Sequence, residues 1–366
     1  MYHFEKSSNG MAGIYLVFRN VPLMESKETF GVSHLLEHMV TDAVKPLEEA
    51  YDTDCIEFNA FTGKEYIVFY ITGLQECINR HKELFIKTIC EYTPKEEHFQ
   101  KQIIIVMQEF NDWYGEVECN ALANYMSCMR GYISAIGTKD ALENLTFATV
   151  EQFYRENVKL NDIYEVGAES SNPHMAYSAI IHPAMTKHLY VPKCSEVNVL
   201  SLPMVYGFEE RDISDKEYLA VIIAKMLSYG LGSPLYKIRE EMHLIYGIHI
   251  SAVEYAGRST ILIATSGKAA DKGRIGEAIR NIVSDSVSCM TRERYNIIVT
   301  NSINRIRIKK QYNYNWDWVS YAVDSANMRD NIDKVTYDET IAFYEQYYKN
   351  NLGVFAGYDD LILKNP

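Results

Sequence analysis

The sequence predicts an α+β protein built from two similar domains, and three observations lead to that prediction. The chain has 366 residues, of which 47% are hydrophobic, so it can fill two cores rather than one. Strand-like and helix-like segments follow each other in the same order in both halves. Between the halves, residues 169–200 carry serine, asparagine and proline residues that interrupt any long periodicity.

The first half alternates between β-branched or aromatic runs and segments with apolar residues at helical spacing. Ser33 is a candidate N-cap for the first helix, and Pro94 favours a break between two later helices. The predicted elements are a strand at Ala12–Phe18, a helix from Val32 to Met39, a strand at Phe61–Ile71, helices at 76–91 and 95–113, a helix at Thr149–Glu156 and a strand at Ile163–Gly167.

The second half repeats this order and again ends in a strand that closes on glycine. Its predicted elements are a strand at Val197–Phe208, a helix at Asp215–Tyr229, strands at Ile248–Val253 and Thr260–Thr265, helices at 271–288 and 291–310, and a strand at Gly353–Gly357. We therefore predict an N-terminal domain at 1–175, a linker at 176–200 and a C-terminal domain at 201–366.

Composition and charge narrow the functional classes. The formal net charge is −13 and no cluster of lysine and arginine opposes it, so neither nucleic acid nor an anionic membrane is expected as a partner. Seven cysteines without a C-x-x-C pair predict neither a disulfide framework nor a thiolate zinc site, and they indicate a reducing compartment. No secretory-type N-terminus and no apolar stretch of about 18 residues is present, so we expect a cytoplasmic protein without a membrane span.

The sharpest local signal is the string H-L-L-E-H at residues 34–38. On a helix, His34 and His38 lie one turn apart on the same face, and two imidazoles at that spacing can bind one Zn²⁺. Glu37 lies beside that face, where a carboxylate can take a proton from a zinc-bound water instead of binding the metal. The competing interpretation is a chance string on a surface helix with structural histidines. The letter order H-x-x-E-H is the inverzincin pattern.

From this motif outwards, the chain resembles the pitrilysin/insulinase family of zinc metallopeptidases, which includes the mitochondrial processing peptidases. The resemblance implies that each domain is an antiparallel sheet packed with helices, and that the two domains make one half of a clamshell. The similar segments occur in family order and cover most of the chain: residues 31–39, Asn59–Thr62, residues 102–109, Ile136–Thr138 with Leu145 and Thr146, and Gly232–Tyr236 leading to Arg239 and Tyr246.

The resemblance also implies the metal ligands. One zinc ion per chain would be held by His34, His38 and Glu109, the last from a separate helix. The interval between His38 and Glu109 is shorter than is usual in that family, so Glu116 remains a second candidate for the third ligand. Gln102 stands where the family usually has another glutamate, which predicts weaker metal binding or slower turnover.

The implied activity is that of a zinc-dependent endopeptidase that hydrolyses peptides or unfolded segments inside a closed chamber. Glu37 would activate the attacking water. Asn59, Ala60 and Phe61 would bind the substrate as an added strand, because main-chain hydrogen bonds at a sheet edge hold an extended peptide of any sequence. The alternative is a non-catalytic structural or partner subunit of a peptidase-like heterodimer.

Arg239 and Tyr246 complete the implied site. Both side chains are hydrogen-bond donors that can stabilise the oxyanion formed at the attacked carbonyl. In the resembled family this pair belongs to the half-molecule that faces the zinc site, and this chain has a single zinc half. We therefore expect a homodimer, or a heterodimer with a related subunit, in which Arg239 and Tyr246 of one protomer complete the site of the other.

Overall fold

The structure is a computed structural model whose described residues form two compact units. The first unit contains the described residues from 1 to 114 and from 134 to 168, and the second contains those from 202 to 311 and from 331 to 357. The predicted linker at 176–200 lies outside the described residues, so the domain boundaries remain a prediction. The structure describes residues 1–7, 10–115, 134–168, 202–208, 211–212, 216–229, 233–255, 258–285, 290–312, 331–349, 352 and 354–357.

The first unit is a sheet with helices packed on it. Its strands are β1 (Tyr2–Lys6), β2 (Met11–Arg19), β3 (Glu57–Thr62), β4 (Tyr66–Leu74) and β5 (Asp162–Gly167). Its helices are α1 (Val32–Val44), α2 (Glu48–Thr53), α3 (Gln75–Cys90), α4 (Glu96–Gly115), α5 (Lys139–Asn144) and α6 (Phe147–Asn157).

The five strands of the first unit lie in the order β1-β5-β2-β4-β3. Strand β2 is central, and its residues from 12 to 18 are buried on both faces, which agrees with their β-branched and aromatic character. Every pair in this sheet is antiparallel except β1 with β5, which run parallel. The expected antiparallel sheet is thus present with one parallel strand added at its edge.

The predicted single strand at Phe61–Ile71 is wrong, because the chain reverses within it. The backbone N–H of Gly63 donates to the carbonyl of Tyr66 at 2.8 Å, and this closes a hairpin between β3 and β4. Polar Lys64 and Glu65 occupy the reversal, where a turn can leave them in solvent. The hairpin makes β3 the edge strand of the sheet and places Thr62 at its end.

The second unit has its own sheet and core. Its strands are β6 (Leu202–Gly207), β7 (Arg211–Asp212), β8 (Ile245–Tyr255), β9 (Arg258–Gly267) and β10 (Val354–Gly357). Its helices are α7 (Glu217–Ser228), α8 (Lys237–Glu240), α9 (Lys272–Ser284), α10 (Arg292–Tyr312) and α11 (Tyr337–Tyr347). Strands β10, β6, β9 and β7 are neighbours in that order, and β8 also pairs with β9.

The two units share one topology, as the repeated order of elements in the sequence predicts. In the first unit the order β5-β2-β4-β3 corresponds to β10-β6-β9-β8 in the second, and these pairings are all antiparallel. Helix α7 follows the first strands of its unit as α1 does, but its sequence contains no histidine. Only the first unit therefore carries the H-x-x-E-H motif.

No described helix combines the length and the apolar character that crossing a bilayer requires.

Candidate metal centre

Helix α1 buries one face and presents its two histidines on another. Its buried apolar residues recur at intervals of three and four, which turns that stripe toward the core under the sheet. His34 and His38 are only partly buried, with side chains 15% and 19% exposed, so their rings lie at the rim of the core. The hydrophobic stripe consists of Val32, Leu35, Leu36, Met39, Val40 and Val44.

Helix α4 brings the carboxylate. Its residues Phe99, Val106 and Phe110 are buried in the same core as α1, which orients the helix. Glu109 precedes Phe110, so it lies beside this buried stripe, and its side chain is 44% exposed. The two helices are also joined by a salt bridge, in which the Lys101 amine of α4 lies 2.6 Å from an Asp42 carboxylate oxygen of α1.

The three side chains converge at the spacing that a zinc ion requires. The Nε2 atoms of His34 and His38 are 3.2 Å apart, and each lies 3.5 Å from Oε2 of Glu109. A tetrahedral zinc with bonds of about 2.0–2.1 Å separates its ligand atoms by about 3.4 Å. The donor set thus fits zinc in both chemistry and spacing. Among the described residues, no other group of three such side chains comes together in this way.

The electrostatics of His34 favour the metal-binding form of its ring. Burial, together with a smaller effect of the charge of His38, lowers the pKa of His34 to about 4. The imidazole is therefore neutral at pH 7, and a neutral imidazole offers a lone pair to a metal. Its Nδ1 atom is buried and has no hydrogen-bond partner among the described residues.

Glu37 is held beside these ligands in a different environment. The residue is 8% exposed, and burial is the main cause that raises the pKa of its carboxyl group to about 7. The hydroxyl of Thr62 donates to Oε2 of Glu37 at 3.1 Å and counteracts this rise, while the charge of Glu109 adds to it. A carboxyl group whose pKa lies near neutrality can both accept and return a proton.

The predicted substrate-binding residues lie on β3. Among the described strands, β3 pairs only with β4, so its other edge has no partner strand. The side-chain oxygen of Asn59 accepts the backbone N–H of Ala60 at 2.8 Å, and the ring of Phe61 packs edge-on against Tyr66 at 5.6 Å. Thr62, the last residue of the same strand, contacts Glu37. The edge strand therefore ends beside Glu37.

Arg239 and Tyr246 lie in the second unit. Arg239 belongs to α8, where its Nη1 donates to the hydroxyl of Tyr236 at 2.5 Å and its guanidinium lies over the Tyr236 ring. Tyr246 belongs to β8, and its side chain is outside the described part. Glu116, the second candidate for the third ligand, also lies outside the described residues. The assignment of Arg239 and Tyr246 to the catalytic site remains a prediction.

Part of the chain matches a known family model. Residues 5–130 match the model of the insulinase family, peptidase family M16. This segment contains both the H-x-x-E-H helix and Glu109. The resemblance found in the sequence is thereby confirmed.

Two curated zinc proteases are similar in sequence to short segments of the chain. The chain is 27% identical over 142 residues to the uncharacterized zinc protease YmxG of Bacillus subtilis, and this alignment covers 36% of the chain and 34% of the relative. It is 31% identical over 90 residues to an uncharacterized zinc protease of Rickettsia felis, which covers 23% of the chain and 22% of the relative. The alignments thus span about a third or less of each relative's length.

Solved structures extend the similarity of fold to nearly the whole chain. A protease from Helicobacter pylori matches with a TM-score of 0.80 at 14% identity and covers 97% of this chain and 95% of its own. An inactive peptidase M16 domain from Pseudomonas fluorescens matches with a TM-score of 0.73 at 14% identity and covers 97% and 94%. A chain of complex III from Candida albicans matches with a TM-score of 0.76 at 12% identity and covers 98% and 94%. At these identities the matches establish the α+β fold alone.

Two residues near the centre had no role assigned from the sequence. The sequence marks Thr62 only as the end of a family-like strand, and the structure shows that its hydroxyl contacts Glu37. The carboxylate of Glu25 accepts two backbone N–H groups at the start of α1. No periodicity or motif marks Glu25. Gln102 is 4% exposed on α4, so the uncharged residue at this family position is buried.

Proposed function

We propose that the chain is a zinc-dependent metalloendopeptidase. The observation that carries the proposal is the convergence of His34, His38 and Glu109 at tetrahedral spacing with Glu37 beside them. The zinc-protease relatives and the family match over residues 5–130 support the same chemistry. His34, His38 and Glu109 would hold one zinc ion per chain. Zinc, when bound, supplies Lewis-acid polarisation of the scissile carbonyl and makes water more acidic.

Glu37 would act as the general base and then as the general acid. Its carboxylate takes a proton from the attacking water and returns it to the leaving amine as the peptide bond breaks. Thr62 donates both its hydroxyl and its backbone N–H to Glu37, and these bonds would fix the orientation of the carboxylate toward the attacking water. Burial keeps bulk water away from this carboxylate, which strengthens its interaction with the reacting groups.

An extended peptide would bind along β3. The open edge of this strand offers main-chain donors and acceptors to an added strand, and the strand leads directly to Glu37 through Thr62. Asn59 and Ala60 would contact the peptide backbone, and Phe61 would form a wall for a side chain. This arrangement selects extended, unfolded segments over folded proteins, since only an extended chain can add to a sheet edge.

One experiment tests the proposed activity. We would measure the metal content of the purified chain and its cleavage of a quenched peptide library, for the wild type and for Glu37→Gln. We expect about one zinc per chain in both proteins and a loss of at least about a hundredfold in cleavage in the variant, since general acid–base catalysis contributes about that much or more. Cleavage that persists in Glu37→Gln at the wild-type rate would refute the assigned role.

The proposed assembly is a homodimer, or a heterodimer with a related subunit, in which Arg239 and Tyr246 act on the partner's site. Mixing a Glu37→Gln chain with an Arg239→Ala chain tests it, because one of the two sites in a mixed dimer would then be intact. We expect activity to return on mixing. Mixed dimers that form without any return of activity would exclude a shared site.

A non-catalytic subunit is the second candidate function. The observation that favours it is the match to an inactive peptidase M16 domain at a TM-score of 0.73. The ligand set argues the other way, because His34, His38 and Glu109 are all present and converge. A chain that takes up no zinc when zinc is supplied, and cleaves no peptide, would favour the non-catalytic role.

A further inference from the structure

The helix that carries both histidines has no cap of its own. Its N-cap residue is Gly31, which has no side chain to accept the free N–H groups of the first turn. The first turn of any helix leaves such N–H groups without partners inside the helix, and a cap residue usually satisfies them. Ser33, the N-cap expected from the sequence, instead lies inside the helix.

Glu25 satisfies these groups from outside the helix. Its Oε2 accepts the N–H of Gly31 at 3.0 Å, and its Oε1 accepts the N–H of Ser33 at 2.8 Å. Both carboxylate oxygens are therefore used, one on each side of the first helical residue. A negative charge at a helix N-terminus is also favoured by the helix dipole. Glu25 thus acts as a cap supplied by the preceding loop.

The opposite side of Gly31 is closed by a second segment of backbone. Gly31 has a φ of +95°, and a Cβ placed on it would lie 3.0 Å from Gly137 Cα and 3.0 Å from the Ile136 carbonyl oxygen. The start of α1 is therefore clamped between the Glu25 carboxylate and the backbone at Ile136 and Gly137. Shifts of the first turn are opposed from both sides.

This clamp bears directly on the metal ligands. His34 follows Ser33, whose N–H is held by Glu25, and His38 lies one turn further along the same rigid helix. A rotation of the first turn would carry both imidazoles relative to Glu109, which belongs to α4. We infer that Glu25 is a positioning residue for the metal centre, which fixes the rotation and register of α1 so that His34 and His38 meet Glu109. This inference rests on the proposed metal centre.

The variants Glu25→Gln and Glu25→Asp test the inference. The amide introduced by Glu25→Gln can accept only one of the two N–H groups, and its NH₂ would face the other donor. The shorter side chain of Glu25→Asp keeps the carboxyl group but reaches less far. Glu28→Gln is the matched control, because Glu28 belongs to the same loop, undergoes the same chemical change and accepts a hydrogen bond from the Ser26 hydroxyl instead.

Two readouts distinguish positioning from a general loss of stability. We would measure the dissociation constant of zinc by competition with a colorimetric chelator. We would also record the visible absorption spectrum of the cobalt-substituted protein. Substitution of groups that orient metal ligands commonly costs about 10–100-fold in metal affinity. We expect a loss of that size and a shifted cobalt spectrum in Glu25→Gln, a smaller loss in Glu25→Asp, and wild-type values in Glu28→Gln.

The remaining outcomes would contradict either the role of Glu25 or the proposed zinc site. A folded Glu25→Gln protein that binds zinc with the wild-type constant and spectrum overturns the inference and leaves the proposed function standing. Loss of folded protein in both Glu25 variants overturns it as well, because the carboxylate would then hold the fold rather than the centre. A wild type that binds no zinc overturns the proposed function itself, and circular dichroism establishes which proteins are folded.

Discussion

Replacing Gly137 with alanine tests how closely the backbone packs at the start of α1. Gly137 has a φ of +86°, and a Cβ there would lie 2.5 Å from the Phe30 carbonyl oxygen and 2.6 Å from Gly31 Cα. Both are backbone atoms, so neither can move aside without shifting the helix. The left-handed conformation costs an L-residue about 1–2 kcal/mol, and forced overpacking adds about 1–3 kcal/mol. We expect the free energy of unfolding to fall by about 2–5 kcal/mol.

Two other glycines separate the cost of the left-handed backbone from the cost of the steric clash. Gly10 has a φ of +78° but no described heavy atom lies within 4 Å of its built Cβ, so Gly10→Ala should lose only the backbone share of about 1–2 kcal/mol. Gly273 lies in α9 with equally open space, and Gly273→Ala should gain roughly 0.5 kcal/mol. Equilibrium urea unfolding followed by circular dichroism measures all three. The reasoning is refuted if Gly137→Ala costs no more than Gly10→Ala.

Three further predictions concern acid stability, a helix cap and the metal. Burial raises the pKa of Asp162, but the hydrogen bond and charge of Arg19 outweigh it and hold that pKa below its ordinary value. The stability that this pair provides is therefore present above about pH 4 and lost as the pH falls further, and urea unfolding should show a smaller acid loss in Arg19→Met. Thr146→Ala removes the cap of α6 and should cost about 1 kcal/mol in thermal unfolding, with Thr146→Ser as control. Glu109→Gln should weaken zinc binding by at least about a hundredfold in a chelator competition, with unchanged stability of the metal-free protein because the side chain is 44% exposed.

Each of these three has a clear contrary result. If the wild type and Arg19→Met lose the same stability at low pH, the ion pair between Arg19 and Asp162 does not determine the acid sensitivity of the protein. An equal loss in Thr146→Ser and Thr146→Ala would show that the hydroxyl is not the cap. Wild-type zinc affinity in Glu109→Gln would exclude Glu109 as the third ligand.

Elements with strong local periodicity were predictable from the sequence. The predicted helices at 76–91 and 95–113 correspond to α3 and α4 within a few residues at each end, because their apolar residues recur at helical spacing. Strand β2 was predictable because its run is continuous and apolar. Helix α11 was missed although its start carries a visible signal, since Thr336 caps the N–H of Glu339 in a T-x-x-E pattern.

Other elements depend on partners far away in the chain. Strand β1 is short and half polar, and it forms by pairing with β5, which lies about 160 positions later in the sequence. Tyr2 donates to Glu165, and His3 lies 3.2 Å from Asp162, so polar side chains help to hold the strand. No local sequence pattern predicts the pairing of β1 with β5. The β3–β4 hairpin was missed for a related reason, because its turn carries only a single glycine between two runs of strand-forming residues.

The sequence by itself determined the metal motif, because the spacing of His34 and His38 is a property of one helix and needs no other part of the chain. It also indicated the duplicated α+β fold, since periodicity and element order are local signals that repeat. Only the tertiary structure decided that Glu109 meets the two imidazoles, that Thr62 contacts Glu37 and that Glu25 caps α1. These are contacts between separate segments, and their distances depend on how helices and strands pack around a shared core, which no local pattern of residues contains.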